Sequence, residues 1–326
     1  MPPSRRWTRP APSVAWLALV LLAMAVAMPG CRREAVPEEL PGAASEPAGA
    51  VRQLATHLRN NDLQAFARDA LPATERARLA EAWAHGRDRW PLTELPLDEH
   101  LGGMLAILAA PGSEKGLRRS FERQMAGQDR ALREAARSLA LFGTQYVRTQ
   151  GAYSEEERSH YTQVIAALGA WSTTAPLGDR RRAGAAIDRL AEAARATGLG
   201  EGDAALVGAG MDGGLRPLGP FPATAKTVLA DYGLDLDRSL ADLRTGLVEE
   251  SGDRATVRIH YPLAGTEIDT TVSLTRRDGH WYLTDYLEHA RVLLAEPPAG
   301  QAPPPDTAGQ VAPGRAPAPV EPAAAR

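Results

Sequence analysis

The spacing of apolar residues predicts a chain that is helical from residue 51 to about residue 240. In this region apolar side chains recur three or four positions apart, which places them on one face of an α-helix. The strongest pattern predicts a helix over residues 128–148. Its single apolar stripe consists of Leu132, Ala135, Ala136, Leu139, Phe142, Tyr146 and Val147.

Polar residues and glycines add signals for where these helices begin and how regular they are. Residues 60–62, Asn-Asn-Asp, offer caps for a second helix. Ser154 and Glu157 have the spacing of a capping box, so a helix is predicted to follow them. The pair Gly102-Gly103 weakens the helical prediction around it, because glycine is a poor helix former.

The hydrophobic period changes from 3.6 to 2 at about Arg244, which predicts antiparallel strands with one buried face. Asp278-Gly279 is a strong signal for a two-residue hairpin turn. A closing helix is predicted over residues 286–295. The fold class is therefore α+β, with a mainly helical body and a small C-terminal β-meander. The hairpin turn predicts the pairs Arg277 with His280, Arg276 with Trp281, and Leu274 with Leu283.

The first thirty residues have the layout of a secretory signal peptide. Three arginines, at positions 5, 6 and 9, precede an apolar run over residues 14–28. That run is shorter than the ~20 apolar residues that a membrane-spanning helix requires. We therefore predict that residues 1–30 are a signal peptide.

The end of this segment, Ala27-Met28-Pro29-Gly30-Cys31, resembles the lipobox of bacterial lipoproteins. The resemblance implies that the chain is cut before Cys31, that the Cys31 thiol is acylated, and that the lipid attaches the protein to the membrane of the cell envelope. Arg32 follows, where an Asp commonly retains such lipoproteins in the inner membrane, so the periplasmic face of the outer membrane is favoured. The alternatives are a soluble secreted protein and an uncleaved anchor.

Composition divides the mature chain into a folded part and two flanking segments. Residues 31–50 are predicted to be the lipidated cysteine and a flexible spacer, because they lack an apolar period. Residues 296–326 contain nine prolines and are predicted to be a disordered Pro/Ala-rich tail. The helical region, 51–240, and the meander with its helix, 241–295, are expected to pack as one unit.

Charge and rare residues exclude several classes of function. Removal of the signal leaves 34 Lys and Arg against 40 Asp and Glu, a net charge of −6, which argues against nucleic-acid binding. Only two lysines and one cysteine occur, so a phosphate-loop lysine, a Schiff base, a disulfide and a multi-cysteine zinc site are not expected. Three arginine clusters are interpreted as solvated faces balanced by nearby acids: residues 118–119, 180–182 and 276–277.

Two short motifs match parts of known binding-site patterns, one for a dinucleotide and one for a metal, but the surrounding sequence does not complete either pattern. Residues 208–213 match G-x-G-x-x-G, but the prolines that follow predict a glycine-rich loop rather than the helix a dinucleotide site requires. Glu157 and His160 have the E-x-x-H spacing of a metal site, but a di-metal site requires a second copy, and none occurs. No cofactor or metal is therefore expected.

Residues 54–66, with Asn61-Asp62-Leu63, and residues 255–286, with Asp278-Gly279-His280-Trp281-Tyr282-Leu283, form the two ends of the folded part. Together they resemble small cystatin-like and nuclear-transport-factor-like lipoprotein domains. The resemblance implies helices packed against a curved sheet that often leaves a pocket. The apolar sheet residues are therefore either the lining of a pocket for a small apolar ligand or the core against the helices. These candidates are Val257, Ile259, Tyr261, Val272, Leu274 and Trp281.

Three functions remain open at this point. The favoured one is a non-enzymatic envelope lipoprotein that binds or scaffolds another envelope component. The second is a binder of a small apolar ligand. The third is an envelope hydrolase, with His260, Asp269 and Asp285 near one sheet as its candidate residues, although the favoured explanation is that they are polar positions on a half-exposed sheet.

Overall fold

The computed structural model of the protein describes residues 43–94, 98–149 and 153–295. The predicted signal peptide, Cys31 and the Pro/Ala-rich tail lie outside the described residues. Twelve α-helices are described in this part of the chain: α1 (Pro47–Arg59), α2 (Leu63–Asp69), α3 (Ala73–Ala84), α4 (Asp98–Ala109), α5 (Ser113–Gln124), α6 (Asp129–Thr149), α7 (Glu155–Thr174), α8 (Arg180–Ala196), α9 (Asp203–Leu218), α10 (Pro220–Asp231), α11 (Leu236–Ala241) and α12 (Thr284–Ala295).

A four-stranded antiparallel sheet lies between α11 and α12. Its strands are β1 (Arg244–Ser251), β2 (Arg254–Leu263), β3 (Thr266–Arg277) and β4 (His280–Leu283), in the order β1-β2-β3-β4. A single-turn 3-10 helix, Leu92–Glu94, lies between α3 and α4. The predicted α+β architecture, with a helical body, a C-terminal meander and a closing helix, is confirmed.

The β3–β4 hairpin has the predicted register. Asp278 and Gly279 have φ angles of 51° and 81°, the left-handed conformation that a tight two-residue turn requires. The strands then pair Arg277 with His280, Arg276 with Trp281, and Leu274 with Leu283.

One hydrophobic cluster runs through both the helices and the sheet. The inner face of β2 supplies alternate residues from Ala255 to Leu263, and α1 covers this face. Because the cluster includes buried residues of α1–α4, α7–α12 and β2–β4, the sheet and most of the helices share one core. Its largest buried side chains are Trp83, Trp90, Trp281, Tyr261 and Tyr286.

The ordered part of the chain begins earlier than the predicted spacer allowed. Helix α1 starts at Pro47, and Ala44 and Ala50 are buried. The Trp281 N–H donates a hydrogen bond to the Ala44 carbonyl at 3.0 Å, so this segment lies along the edge of β4. Small residues such as Ala and Gly pack here without giving an apolar period, which is why the boundary at residue 50 was wrong.

The glycine-rich motif at residues 208–213 was also predicted wrongly, as a loop. It lies inside α9, which kinks at Gly210 (φ 70°, ψ 177°) and continues through Pro217. The kink lets the chain remain helical on both sides, and Pro217 lies in the last turn. Since the preceding described element is another helix, α8, the motif does not have the strand-turn-helix context of a dinucleotide site.

In the glycine pair of α4, the first glycine, Gly102, allows α4 to pack closely against α9. A Cβ atom at Gly102 would lie 2.7 Å from the backbone nitrogen of Asp203, at the start of α9, whereas a Cβ at Gly103 would meet nothing within 4 Å. Gly102→Ala is expected to lower the free energy of unfolding by about 1–3 kcal/mol, because backbone would have to move.

The neighbouring substitution is the matched control. Gly103→Ala is expected to raise the free energy of unfolding by up to about 1 kcal/mol, because alanine is the better helix former. Urea unfolding of both variants measures the difference. A Gly102→Ala variant as stable as Gly103→Ala would contradict the close approach of α4 and α9.

Candidate functional site

The six apolar sheet residues proposed as a pocket lie in the hydrophobic core. Five of them are at most 1% exposed, and Val272 is half-buried against the same cluster. Helices cover this face of the sheet, so the structure places these side chains as core, the alternative that the sequence left open. The buried residues are Val257, Ile259, Tyr261, Leu274 and Trp281.

The three hydrolase candidates do not form one group. His260 and Asp269 are paired across β2 and β3, with His260 Nε2 3.6 Å from Asp269 Oδ1. Arg258 holds the same carboxylate, with Arg258 Nε donating to Asp269 Oδ1 at 2.9 Å, and this contact lowers the pKa of Asp269. Asp285 lies on α12, where its charged neighbours are Glu157, His289 and Glu288.

The two residues of the E-x-x-H motif, Glu157 and His160, have structural roles. Glu157 and Ser154 form the predicted capping box at the start of α7. His160 is buried and its Nε2 lies 2.8 Å from the Tyr261 hydroxyl, so α7 is bonded to β2. Burial lowers the pKa of His160 to about 4, which keeps the imidazole neutral. This histidine therefore connects a helix to the sheet.

An open cleft lies beside α12, lined mainly by the other face of the sheet, with Ala255 and Leu274 of the core face at its border. It has a volume of about 690 Å³. The register pairs Arg254 with Thr275 and Thr256 with Ser273, on the face opposite Val257, because successive strand residues point to opposite faces. The last part of β1 and the first turns of α12 form its walls. These walls contribute Glu249, Ser251, Thr284, Leu287, Glu288 and Arg291.

Three arginines line this cleft. Arg254, Arg277 and Arg291 make no ion pair or side-chain hydrogen bond with another described residue. Other arginines of the sheet are paired: Arg258 with Asp269, and Arg276 with Asp253 at 3.0 Å. Among the described residues, the cleft therefore presents three guanidinium groups without an ion-pair partner, next to a floor of hydroxyl groups.

Charge in the cleft is mixed but positive. Glu249 and Glu288 also line it, so the lining carries three basic and two acidic side chains. A guanidinium group binds carboxylates and phosphates through parallel N–H donors, and hydroxyl groups can donate or accept. The arrangement can hold an acidic ligand that also bears polar groups.

A buried acid lies at the other side of α12. Glu94 is 4% exposed, and its Oε2 lies 3.3 Å from His289 Nδ1. Burial raises the pKa of Glu94 to about 7 despite the histidine, and the contact with Glu94 raises the pKa of His289. Burial also raises the pKa of Asp88 nearby. Glu94 and His289 are therefore an acid and a base in contact at the buried side of α12.

The described part of the chain has neither a candidate metal site nor a membrane-spanning helix. It contains no cluster of three or more His, Cys, Asp or Glu residues that could hold a metal ion. Among the described residues, no helix has both the length and the hydropathy needed to cross a bilayer.

Sequence reasoning missed both the cleft arginines and Glu94. The register of the strands brings Arg254 and Arg277 to one face, and that register was predictable for β3 and β4 alone. Glu94 lies in a segment without an apolar period, so its burial had no signal in the sequence.

In comparisons with known proteins, no family model, no curated protein and no solved structure matches this chain.

Proposed function

We propose that this chain is a lipid-anchored protein of the bacterial cell envelope that works by binding, with the cleft between the sheet and α12 as its ligand site. The observation that carries the anchor is the signal-like segment that ends in Cys31, the single cysteine of the chain. The observation that supports binding is the group of three unpaired arginines in an open cleft.

Acylation explains how such a chain is held at a membrane. Each buried CH₂ group contributes about 0.8 kcal/mol, so two or more acyl chains on one cysteine hold a protein effectively permanently. Eleven residues lie between Cys31 and residue 43, the first described residue. A chain of that length spans at most about 40 Å, so the fold and its cleft stay close to the membrane surface, on the periplasmic face of the outer membrane.

The chemistry of the cleft indicates the class of ligand. Its arginines and hydroxyl groups fit a small molecule with two or more acidic groups, carboxylate or phosphate, and further polar groups. The apolar face of the same sheet is covered by helices, so an apolar ligand between the sheet and the helices is not favoured.

Membrane fractionation tests the anchor. Wild type is expected in the membrane fraction and Cys31→Ser in the soluble fraction, because the serine hydroxyl does not accept the lipid. Arg32→Asp is the matched control. It keeps the cysteine, so it is expected to stay in the membrane fraction and to move from the outer to the inner membrane. A wild-type chain in the soluble fraction would contradict the anchor.

Titration calorimetry tests the cleft. The full chain is titrated with citrate and, separately, with inorganic pyrophosphate, which distinguishes carboxylate from phosphate ligands. Arg277→Ala/Arg291→Ala is expected to lose at least about tenfold in affinity, since one hydrogen bond to a charged group contributes about 1.5 kcal/mol or more.

The control for this titration removes two arginines elsewhere. Arg119 and Arg123 are exposed on α5, away from the cleft, so Arg119→Ala/Arg123→Ala changes the net charge equally. This control is expected to bind as wild type does. Equal losses in both double variants would show that only net charge matters and would contradict a site in the cleft.

A further inference from the structure

Helix α6 exposes an apolar surface that its neighbours do not cover. Leu139 is 69% exposed and Phe142 is 70% exposed, and only Val147 is buried in this helix. Large apolar side chains with this exposure, grouped on one helix, mark an interaction surface. An apolar groove of about 320 Å³ runs beside them, between α6 and α7.

The side of α6 that meets α7 is distinct from this surface. The two helices are antiparallel: Gly143 of α6 lies against Ile165 of α7, and Val147 packs with Tyr161. A Cβ atom at Gly169 of α7 would lie 2.8 Å from the Cβ of Ala140, so small residues bring the helices close. The contact with α7 is therefore already filled.

The exposed Leu139 and Phe142 belong to a stripe with the spacing of a coiled-coil seam. Two other members of this stripe, Leu132 and Tyr146, are half-buried. Leu132, Leu139 and Tyr146 are seven residues apart, and Ala135, Phe142 and Thr149 are seven residues apart at positions three further on. These are the a and d positions of a heptad, a pattern typical of helices that pair with another helix. We call these six residues the α6 seam.

The α6 seam is complementary to itself in an antiparallel arrangement. Antiparallel pairing about the centre of the helix places Leu139 opposite Phe142 of a second copy, and Ala135 opposite its Tyr146. The small Ala135 then faces the large Tyr146, and Leu139 meets Phe142 at the centre of the interface. Such size matching lets side chains fill the layers between helices without voids.

The charges of α6 favour the same partner. The seam's free flank carries Ala131, Ser138 and Gln145, none of them charged. The charged residues, such as Arg133 and Arg137, lie off the seam. A second copy can therefore approach without repulsion between like charges at the contact, whereas a helix that binds a membrane surface bears Lys or Arg along its boundary.

We infer that the α6 seam is the interface of an antiparallel homodimer, in which α6 of one protomer pairs with α6 of a second copy. A twofold axis relates the two helices, so the same surface serves both protomers. The groove between α6 and α7 lies along this interface, and each protomer contributes its α6–α7 pair to a four-helix arrangement. This inference does not depend on the anchor or on the cleft.

Cysteine crosslinking of the full chain tests the dimer. In Ala135→Cys/Tyr146→Cys the two thiols of one helix are eleven residues, or about 16 Å, apart, which is too far for a disulfide within the chain. The antiparallel dimer brings residue 135 of each protomer next to residue 146 of its partner. Mild oxidation is expected to give a band at twice the mass of the chain for the double variant and for neither single variant.

Two further substitutions in the double-cysteine background separate the seam from the rest of α6. Leu139→Lys is expected to abolish the crosslink, because it places a charge at the centre of the seam. Leu141→Lys is the matched control, since Leu141 is 74% exposed but lies off the seam, and it is expected to leave the crosslink intact. Because both side chains are exposed, neither change disturbs the core.

Several outcomes would overturn the inference. No crosslink in the double variant means that no antiparallel dimer forms, and crosslinks in both single variants mean a parallel one. A crosslinked product with a different protein means another partner. Thiols that stay uncrosslinked and are shielded from maleimide by lipid alone mean a membrane contact. Wild type is oxidised in parallel, and a dimer there reports a free Cys31 thiol, which counts against the anchor and not against the α6 seam.

Discussion

Replacing Asp69 by alanine is expected to lower the free energy of unfolding by about 3 kcal/mol, because a buried and fully bonded carboxylate is lost. The Asp69 side chain is 0% exposed and lies at the end of α2. His57 Nε2 donates to its Oδ2 at 2.7 Å and Gln53 Nε2 at 2.9 Å, both from α1, while Arg68 Nε donates to Oδ1 at 2.6 Å. The carboxylate therefore connects α1 to α2.

The pH dependence of this contribution has a definite sign. Burial acts to raise the pKa of Asp69, but the hydrogen bonds from His57 and Arg68 outweigh it, and the net pKa is lowered. A carboxylate with a lowered pKa stabilises the fold above its ordinary pKa, and this stability is lost as the pH falls. The destabilisation in Asp69→Ala is therefore expected at neutral pH and to shrink in acid.

Chemical denaturation of two further variants completes this test. Asp69→Asn keeps the shape and loses the charge, so an intermediate loss is expected. Asp188 of α8 pairs with Arg118 while half-exposed, and Asp188→Ala is expected to cost at most about 1 kcal/mol, as exposed pairs do. Equal losses at both aspartates would contradict the special role of Asp69.

Glu94 is expected to make the protein less stable as the pH rises. Its pKa is about 7 in the fold against an ordinary 4.5, so between these values the folded chain holds a proton that the unfolded chain has released. Stability is therefore full below pH 4.5 and is lost as the pH rises through 7, by up to about 3 kcal/mol at about 1.4 kcal/mol per pH unit. The raised pKa of His289 acts in the same direction.

Glu94→Gln removes this titration. Its free energy of unfolding is expected to fall much less than that of wild type between pH 4.5 and pH 8, as measured by urea unfolding at a series of pH values. Glu156→Gln, at an exposed position of α7, makes the same change in formal charge and separates net charge from burial. If the stability of wild type and of Glu94→Gln fell in parallel as the pH rose, Glu94 would not be the group whose titration causes the loss of stability.

Local signals in the sequence were sufficient for the elements they involve. The Asp278-Gly279 turn predicted the β3–β4 register because its left-handed conformation permits one pairing. Ser154 and Glu157 predicted the start of α7 through two reciprocal hydrogen bonds. Each of these signals acts within a few residues, so no knowledge of the rest of the fold was needed.

Features that depend on tertiary packing could not be read in the same way. The arginine pair at residues 276–277 was expected to be balanced by acids, but neighbours on a strand point to opposite faces. Arg276 pairs with Asp253 and lies over the Trp281 ring, whereas Arg277 lines the cleft. The sequence shows the two arginines together and does not show which acid reaches them.

The apolar stripe of α6 shows the same limit. Its period predicted the helix within one residue at each end, 128–148 against the observed Asp129–Thr149. A period cannot tell which part of the stripe another element covers. In the fold α7 packs against Ala140, Gly143 and Val147, whereas Leu139 and Phe142 of the α6 seam remain exposed.

The intact mass of the protein purified from cell envelopes tests the central claim, the lipid anchor at Cys31, most directly. The proposal predicts the mass of residues 31–326 increased by acyl chains, with the increase confined to the peptide that begins at Cys31. An unmodified Cys31, with or without residues 1–30 attached, would contradict the lipid anchor and leave the cleft as the site of a protein without this tether.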